Sequence, residues 1–277
     1  MKQLLWKGSQ PVIRLAPILK WAGGKRWSFE KNAAVFPANI GRFIEPFAGG
    51  AAAFFRLAPN KAWLNDLNVD LVETYKAIAV DWIAVENRLR VFQKYHSNDF
   101  YYQMRASRPR SMAGRAARFI YLNRTCFNGL YRVNLKGEFN VPVGTKTAVL
   151  LPDDNFALAS ERLRKTKLTS WDFEKVIDQT KSTDFVFADP PYTVRHNLNG
   201  FIKYNERLFS WADQVRLRDA LYRARDRGVT VVMSNADHES IRDLYSESSM
   251  ITSETRISRM AANIENRKTT TELLIRI

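Results

Sequence analysis

An aspartate, two prolines and a tyrosine follow one another at Asp189, Pro190, Pro191 and Tyr192, directly after the apolar run Phe185-Val186-Phe187-Ala188. Adjacent prolines have fixed φ and no N–H, so they hold carbonyl acceptors rigidly with no competing donor from their own nitrogens. The aspartate adds a carboxylate, and the aromatic ring suits stacking on a flat ligand. The same residues are also common turn-formers, so a plain strand-to-loop turn stays open on these four alone. A second candidate lies upstream in Phe43-Ile44-Glu45-Pro46-Phe47-Ala48-Gly49-Gly50. A glycine pair after a strand permits tight turning and close approach of a ligand, at the crevice where α/β sheets bind cofactors. Asp66 follows a second apolar run, where a carboxylate can accept both hydroxyls of a ribose. It could equally cap a helix starting near Asn68. A nicotinamide fingerprint is absent, because Gly50 is followed by Ala51-Ala52-Ala53-Phe54. A phosphate loop fails as well: Gly24-Lys25 is followed by Arg26 rather than Ser or Thr.

Both candidates need strands that end where the chemistry begins. The run Arg42 to Phe47 predicts a strand, Ala51 to Leu57 a small-residue helix, and Lys61 to Leu64 a second strand. Further on, Phe185 to Ala188, a helix over Trp211 to Arg227 and a strand over Val229 to Met233 repeat the pattern. The stretches Met250 to Arg256 and Thr271 to Ile277 predict two closing strands. An α/β sheet domain built from both ends of the chain follows, with the middle inserted as a second domain.

That middle is where the charge sits. The 277 residues carry a formal charge of +15, and residues 81 to 150 hold nine Arg and three Lys against four acids. Such a basic balance attracts a polyanion: nucleic acid, an acidic membrane face or an acidic partner. No charge-free run exceeds ten residues, far short of the ~18 needed to span a membrane. The first twenty residues lack a signal peptide's apolar core, so a cytoplasmic location is expected. Cys126 is the single cysteine, and His96, His196 and His238 are scattered, so neither a disulfide within the chain nor a metal site is expected.

Taken in order, Leu19-Lys20-Trp21-Ala22-Gly23-Gly24-Lys25-Arg26, Glu45-Pro46-Phe47-Ala48-Gly49-Gly50, the segment Asn123 to Pro142, and Asp189-Pro190-Pro191-Tyr192 resemble the DNA adenine-N6 methyltransferases of the Dam type. The likeness runs from about residue 16 to the end, and is nearest to modification enzymes of restriction systems that cut at GATC. It implies a Rossmann-like α/β sheet binding S-adenosylmethionine, formed by residues 1–68 and 166–277. It also implies an inserted, mainly helical target-recognition domain over 69–165, in which the residues themselves read as a β-hairpin with Gly137 at its turn. By that resemblance Trp21 and Lys25 line the methionine end of the cofactor, and Glu45, Pro46, Phe47, Gly49 and Gly50 pass beneath it. Asp66 would hold the ribose, Asp172 and Phe173 would contact the cofactor's adenine, and Asp189 would stand beside the transferred methyl.

The implied reaction methylates adenine N6 in duplex DNA, with the target base flipped out. Asp189 and the Pro190 carbonyl would accept the amino protons and Tyr192 would stack on the base. Of the arginines at 105, 108, 110, 115, 118 and 124, Arg115, Arg118 and Arg124 are the named candidates for phosphate contact. Phe127 would wedge into the duplex and Asn128 fill the space left by the base. Lys20, Leu130, Arg132, Asn134 and Pro142 would read base edges. Residues 195–204 and 263–270 are candidate mobile loops. A restriction system would further supply a cognate endonuclease acting separately; a monomer is expected. Cysteine-dependent cytosine-C5 chemistry is excluded, because Cys126 follows Thr125 rather than proline. Cytosine-N4 transfer and a catalytically silent DNA-binding regulator are the rival readings.

Overall fold

The computed structural model describes residues 14–21, 37, 40–134, 136–194, 209–257 and 269–277. Lys25 and the loops 195–204 and 263–268 lie outside the described residues. In chain order come β1 (Arg42–Glu45), α1 (Ala52–Leu57), β2 (Ala62–Asn65), α2 (Val69–Tyr95), α3 (Asn98–Ala106), α4 (Met112–Thr125) and α5 (Phe156–Arg164). Then follow β3 (Thr166–Thr169), α6 (Phe173–Ile177), β4 (Asp184–Ala188), α7 (Trp211–Asp226), β5 (Thr230–Ala236), α8 (Glu239–Leu244), β6 (Met250–Ile257) and β7 (Thr269–Arg276). The strands form the expected α/β arrangement, one seven-stranded sheet in the order β3-β2-β1-β4-β5-β7-β6.

The chain divides into two compact units, each with a core of its own. One holds the described residues of 30–47 and 171–277. In it β1, β4 and β5 run parallel, while β7 is antiparallel to both β5 and β6. Every residue of β4 is buried, which suits a parallel strand covered on both faces and explains its unbroken apolar run. Because the three strands are parallel, Glu45, Ala188 and Ala236 all end at one edge. Helix α7 begins with a reciprocal cap in which the Ser210 hydroxyl accepts from the Asp213 N–H while the Asp213 carboxylate accepts from the Ser210 N–H.

The other unit holds the described residues of 7–29 and 48–170, and so includes β2 and β3 together with α1 to α5. Helix α2 is broken at Asp81, whose φ of −148° is not helical and whose carboxylate caps the second half by accepting from the Ala84 N–H. Between α4 and α5 the chain reverses through Gly137, at φ +76°, where only glycine turns without strain. The expected hairpin is present only as isolated antiparallel bridges, Val133 to Phe139 and Cys126 to Val143. No helix among the described residues is long and apolar enough to cross a membrane.

The basic middle needs one correction. Arg124 is 0% exposed, and its five N–H donors all face inward. Nε and Nη2 donate to the Ile18 carbonyl, Nη1 to the Val149 carbonyl, and the two terminal nitrogens form a fork on Asp154 at 2.6 and 2.7 Å. With every donor engaged inside the protein, it is not placed to grip a phosphate; it fastens the 14–21 segment to α4 and to the 149–154 stretch. Arg118 is half-buried, and its Nε and Nη2 donate to the Met104 and Arg105 carbonyls, closing the end of α3. Of the three, Arg115 alone has an exposed side chain.

Removing one partner of a buried ion pair costs about 3–5 kcal/mol, so Arg124→Met should lower the urea unfolding free energy by that order. Arg115→Met, at an exposed position, should stay within about 0.5 kcal/mol. Equal losses for the two would show that burial of Arg124 is not what holds the 14–21 segment.

Candidate active site

In the first unit, the parallel register sets Ala188 of β4 beside Met233 of β5, so the next residues, Asp189 just past the end of β4 and Ser234 still within β5, stand side by side. The Ser234 hydroxyl, 2% exposed, donates to Asp189 Oδ1 at 2.6 Å. Behind the two prolines lies a buried polar chain. Asn235 Nδ2 donates to Gln214 Oε1 at 3.1 Å, and Gln214 Nε2 donates to the Thr193 carbonyl at 3.3 Å and, at the limit, to the Pro191 carbonyl at 3.5 Å. The Thr193 hydroxyl donates to the Phe209 carbonyl at 2.6 Å. Gln214 and Asn235 are both 0% exposed, and a buried amide is tolerated only when its hydrogen bonds are met. The loop thus has its backbone held from inside, and Asp189 is clamped from the side.

Phe47, just beyond β1, lies 5.4 Å from Phe173 and 5.6 Å from Phe209, ring centre to ring centre. Glu45 and Pro46 are buried on the same stretch. Asp172 caps α6, accepting from the Glu174 N–H at 2.9 Å, and pairs with Arg216 at 3.0 Å. Arg216 also lies over the Phe173 ring. Its bonds to Asp172, Glu174 and Asp213 raise its affinity for the proton, and those from Arg223 and Arg216 hold the Glu174 carboxyl below its ordinary value.

In the second unit, the glycine turn is shaped by Trp21. Gly49 has φ +46°, and a Cβ built there would stand 2.5 Å from Trp21 Cδ1; at Gly50 it would stand 3.1 Å from Trp21 Cβ. Only a bare backbone lets the indole lie on the turn. Ala51, a non-glycine, also adopts φ +50°, a strained conformation at the mouth of α1. The Gly49 N–H donates to Asp66 Oδ2 at 2.9 Å, and the Tyr75 hydroxyl donates to the Gly49 carbonyl at 2.8 Å. Asp66 Oδ1 accepts from the Asn68 N–H at 2.9 Å. Burial pushes the Asp66 carboxyl above its ordinary value, against the pull of these two N–H groups. Of the two roles left open for Asp66, the helix cap falls to Asn68, whose Oδ1 accepts from the Leu71 N–H.

The same unit holds the residues expected to read DNA. Phe127 is 48% exposed, and the exposed Asn128 next to it is left-handed at φ +55°. The Phe127 N–H donates to the Pro142 carbonyl at 2.9 Å, and Leu130 is half-buried on the same stretch. Arg132 Nε donates to Asn140 Oδ1, and Asn134 Oδ1 accepts from the N–H groups of Lys136 and Glu138, so both side chains brace the reversal. The Lys20 main chain pairs with the Asn123 amide in both directions, at 2.8 and 2.7 Å, and its ammonium donates to the Arg124 carbonyl. Burial, with Lys146 and Arg124 nearby, holds that ammonium below its ordinary value.

Residue types alone did not single out Ser234, Gln214, Asn235 or Tyr131. The signal for the first was present as a polar pair, Ser234-Asn235, ending the apolar strand beside the one that ends at Asp189. No cluster of three or more His, Cys, Asp or Glu suited to a metal occurs among the described residues.

Residues 21–260 match the family described as D12 class N6 adenine-specific DNA methyltransferase. A type II methyltransferase of Lactococcus lactis subsp. cremoris, M1.LlaDCHI, is 37% identical over 244 residues, covering 85% of this chain and 86% of the relative. The DNA adenine methylase of Haemophilus influenzae is 32% identical over 85% of each chain. That of Serratia marcescens is 31% identical over 92% of this chain and 96% of its own.

Gly49→Ala combines a left-handed backbone, worth about 1–2 kcal/mol against an L residue, with a Cβ inside contact distance of Trp21. Stability in urea should fall by at least that amount. A loss below about 0.5 kcal/mol would mean that the turn relaxes away from Trp21 at no cost.

Proposed function

The chain belongs to the D12 class of N6 adenine-specific DNA methyltransferases, and we propose that its target is the adenine of GATC in duplex DNA, methylated after that base is turned out of the helix. Family membership settles adenine N6 over cytosine N4 as the acceptor and implies S-adenosylmethionine as methyl donor. The residues present suit that donor. A side-chain-free turn admits close approach at Gly49-Gly50, and each Asp66 oxygen accepts one backbone N–H and keeps a second lone pair for a ribose hydroxyl. Trp21, Glu45, Pro46, Phe47, Asp172 and Phe173 complete the proposed cofactor contacts, together with Lys25 outside the described residues. The cofactor supplies a methyl group made electrophilic by its sulfonium.

The protein's part is to make a poor nucleophile attack. An exocyclic amine conjugated with its ring must turn its lone pair out of the ring plane, and two acceptors fixed on its two hydrogens favour that geometry. Asp189 and the Pro190 carbonyl are proposed as those acceptors, with Pro191 stiffening the loop and Tyr192 stacking on the base. A carboxylate with an ordinary pKa of ~3.9 is too weak to strip a neutral amine, so the Asp189 carboxylate takes the proton only once nitrogen has gained positive charge. Ser234 fixes the carboxylate's rotation by donating to Oδ1. This clamped Asp189 at the end of β4 is the observation that carries the reading.

Residues 69–165 are proposed as the DNA-reading part. Arg115 serves phosphate, Phe127 is the wedge and Asn128 fills the gap, while Lys20, Leu130, Arg132, Asn134 and Pro142 face base edges. Turning a base out costs a few kcal/mol, offset by backbone contacts and the wedge. A protective role beside a restriction endonuclease acting separately is proposed with it; the Lactococcus relative is named a type II methyltransferase.

Tritium from labelled S-adenosylmethionine should enter duplexes containing GATC and leave those with a scrambled site unlabelled; equal labelling would refute the site assignment. Asp189→Ala should slow transfer by about 100-fold or more while duplex affinity stays within a few fold. Unchanged turnover would contradict the acceptor role. Arg132→Ala should relax discrimination at one base pair by about 1–3 kcal/mol, read as the ratio of kcat/KM on matched and singly substituted sites; a preserved ratio removes Arg132 from the reading set.

A further inference from the structure

Tyr131 sits in the sequence between two residues proposed to read DNA, yet its ring reaches the cofactor motif. It stacks on Trp21 with centres 5.7 Å apart and planes 23° from parallel. It also packs against Phe119 at 5.0 Å and Phe139 at 5.7 Å, which lie respectively on α4 and on the far arm of the reversal. Its hydroxyl points to Asp70 Oδ2 at 3.4 Å, at the start of α2. Burial pushes that hydroxyl up to about 12, so it stays a neutral donor at physiological pH. Trp21 in turn lies flush on Gly49, whose N–H is held by Asp66. A continuous set of contacts therefore runs from Asp66 through Gly49 and Trp21 to Tyr131, and from there by one peptide bond to Leu130 and to Arg132.

We propose that Tyr131 is a positioning residue that couples occupancy of the cofactor site to the order of the DNA-reading segment. The inference rests on the functional reading given for Trp21, Asp66 and Arg132. The physical reason is that an indole fixed from one side by ligand offers Tyr131 a rigid platform, while an unfixed one leaves the exposed reversal to its isolated bridges, its own side-chain bonds and the packing of Phe119 and Phe139. Coupling of this kind is reciprocal: whatever factor the cofactor contributes to DNA affinity, DNA returns to cofactor affinity.

The test measures the dissociation constant of a GATC duplex by fluorescence anisotropy, with and without saturating sinefungin, a non-transferring analogue of the donor. In the native protein sinefungin should tighten duplex binding by at least about 5-fold, the low end of known couplings. In Tyr131→Leu that factor should fall below about 2-fold, a margin set by the same coupling scale, while sinefungin binding without DNA stays near native. Tyr131→Phe keeps the stack and should keep the factor. Phe119→Leu, which loosens the same cluster without touching the stack on Trp21, should also keep it. Should Tyr131→Leu fail to fold, Tyr131→Met, closer in reach and equally unable to stack, takes its place. Full coupling in a folded non-aromatic variant, or loss of coupling in Phe119→Leu alone, overturns the proposal. A native protein that methylates GATC but shows no coupling overturns it too, whereas one that transfers no methyl to GATC defeats the functional reading itself.

Discussion

A carboxylate at the tip of a strand is held only if something beside it can reach it, and in this protein that condition is met by strand register. The parallel pairing of β4 with β5 places Ala188 opposite Met233, and the next residue on each strand is polar. Ser234 can therefore donate to Asp189 without leaving the sheet's own geometry. A one-residue slip in either strand would turn its side chains to the opposite face and break that match. The fully buried run of β4 protects against such a slip, since every one of its residues would have to be repacked. The apolar core thus sets the position of a polar group that it does not itself contain.

The basic middle shows how charge count and charge use come apart. Arg124 contributes to the local excess of positive charge, but its charge is neutralised by Asp154 and its remaining donors meet main-chain carbonyls. Asn123, one residue earlier, pairs with the Lys20 main chain as a strand neighbour would. Two consecutive side chains at the end of α4 thereby tether the 14–21 segment, and with it Trp21. A segment without secondary structure of its own is fixed by borrowed hydrogen bonds, which is why a buried arginine is needed at a place where an apolar residue would pack more cheaply.

What the sequence disclosed was the structure that is local along the chain: the strands that run into Asp189 and into the Gly49-Gly50 turn follow from apolar runs of consecutive residues. The distinction between Arg115 and Arg124 was hidden, because charge spacing says nothing about which face of α4 looks inward. A cap at Asp66 stayed open beside its ribose role for a related reason: Asp66 and Asn68, two acceptors two positions apart, differ only in which backbone N–H groups turn toward them. Ser234 and Gln214 depend on neighbours 45 and 21 residues away, a distance fixed by sheet order rather than by pattern. The hairpin was legible as a reversal at Gly137 but not as a ladder, since the Asn134 side chain takes the Glu138 N–H that a regular strand pair would give to a backbone carbonyl.

The polar chain behind the prolines has a logic beyond stability. An apolar filling could hold the loop in place, but apolar contacts are non-directional and tolerate small rotations. Gln214 instead offers two donors and one acceptor at fixed angles, and Asn235 fixes Gln214 in turn. Prolines cannot answer such contacts through their nitrogens, so that pair can be addressed only through its carbonyls, and each carbonyl so engaged fixes a peptide plane. Direction is what the site needs for the proposed task of aiming two acceptors at one nitrogen. The cost of burying amides is accepted where orientation, rather than cohesion, decides the rate.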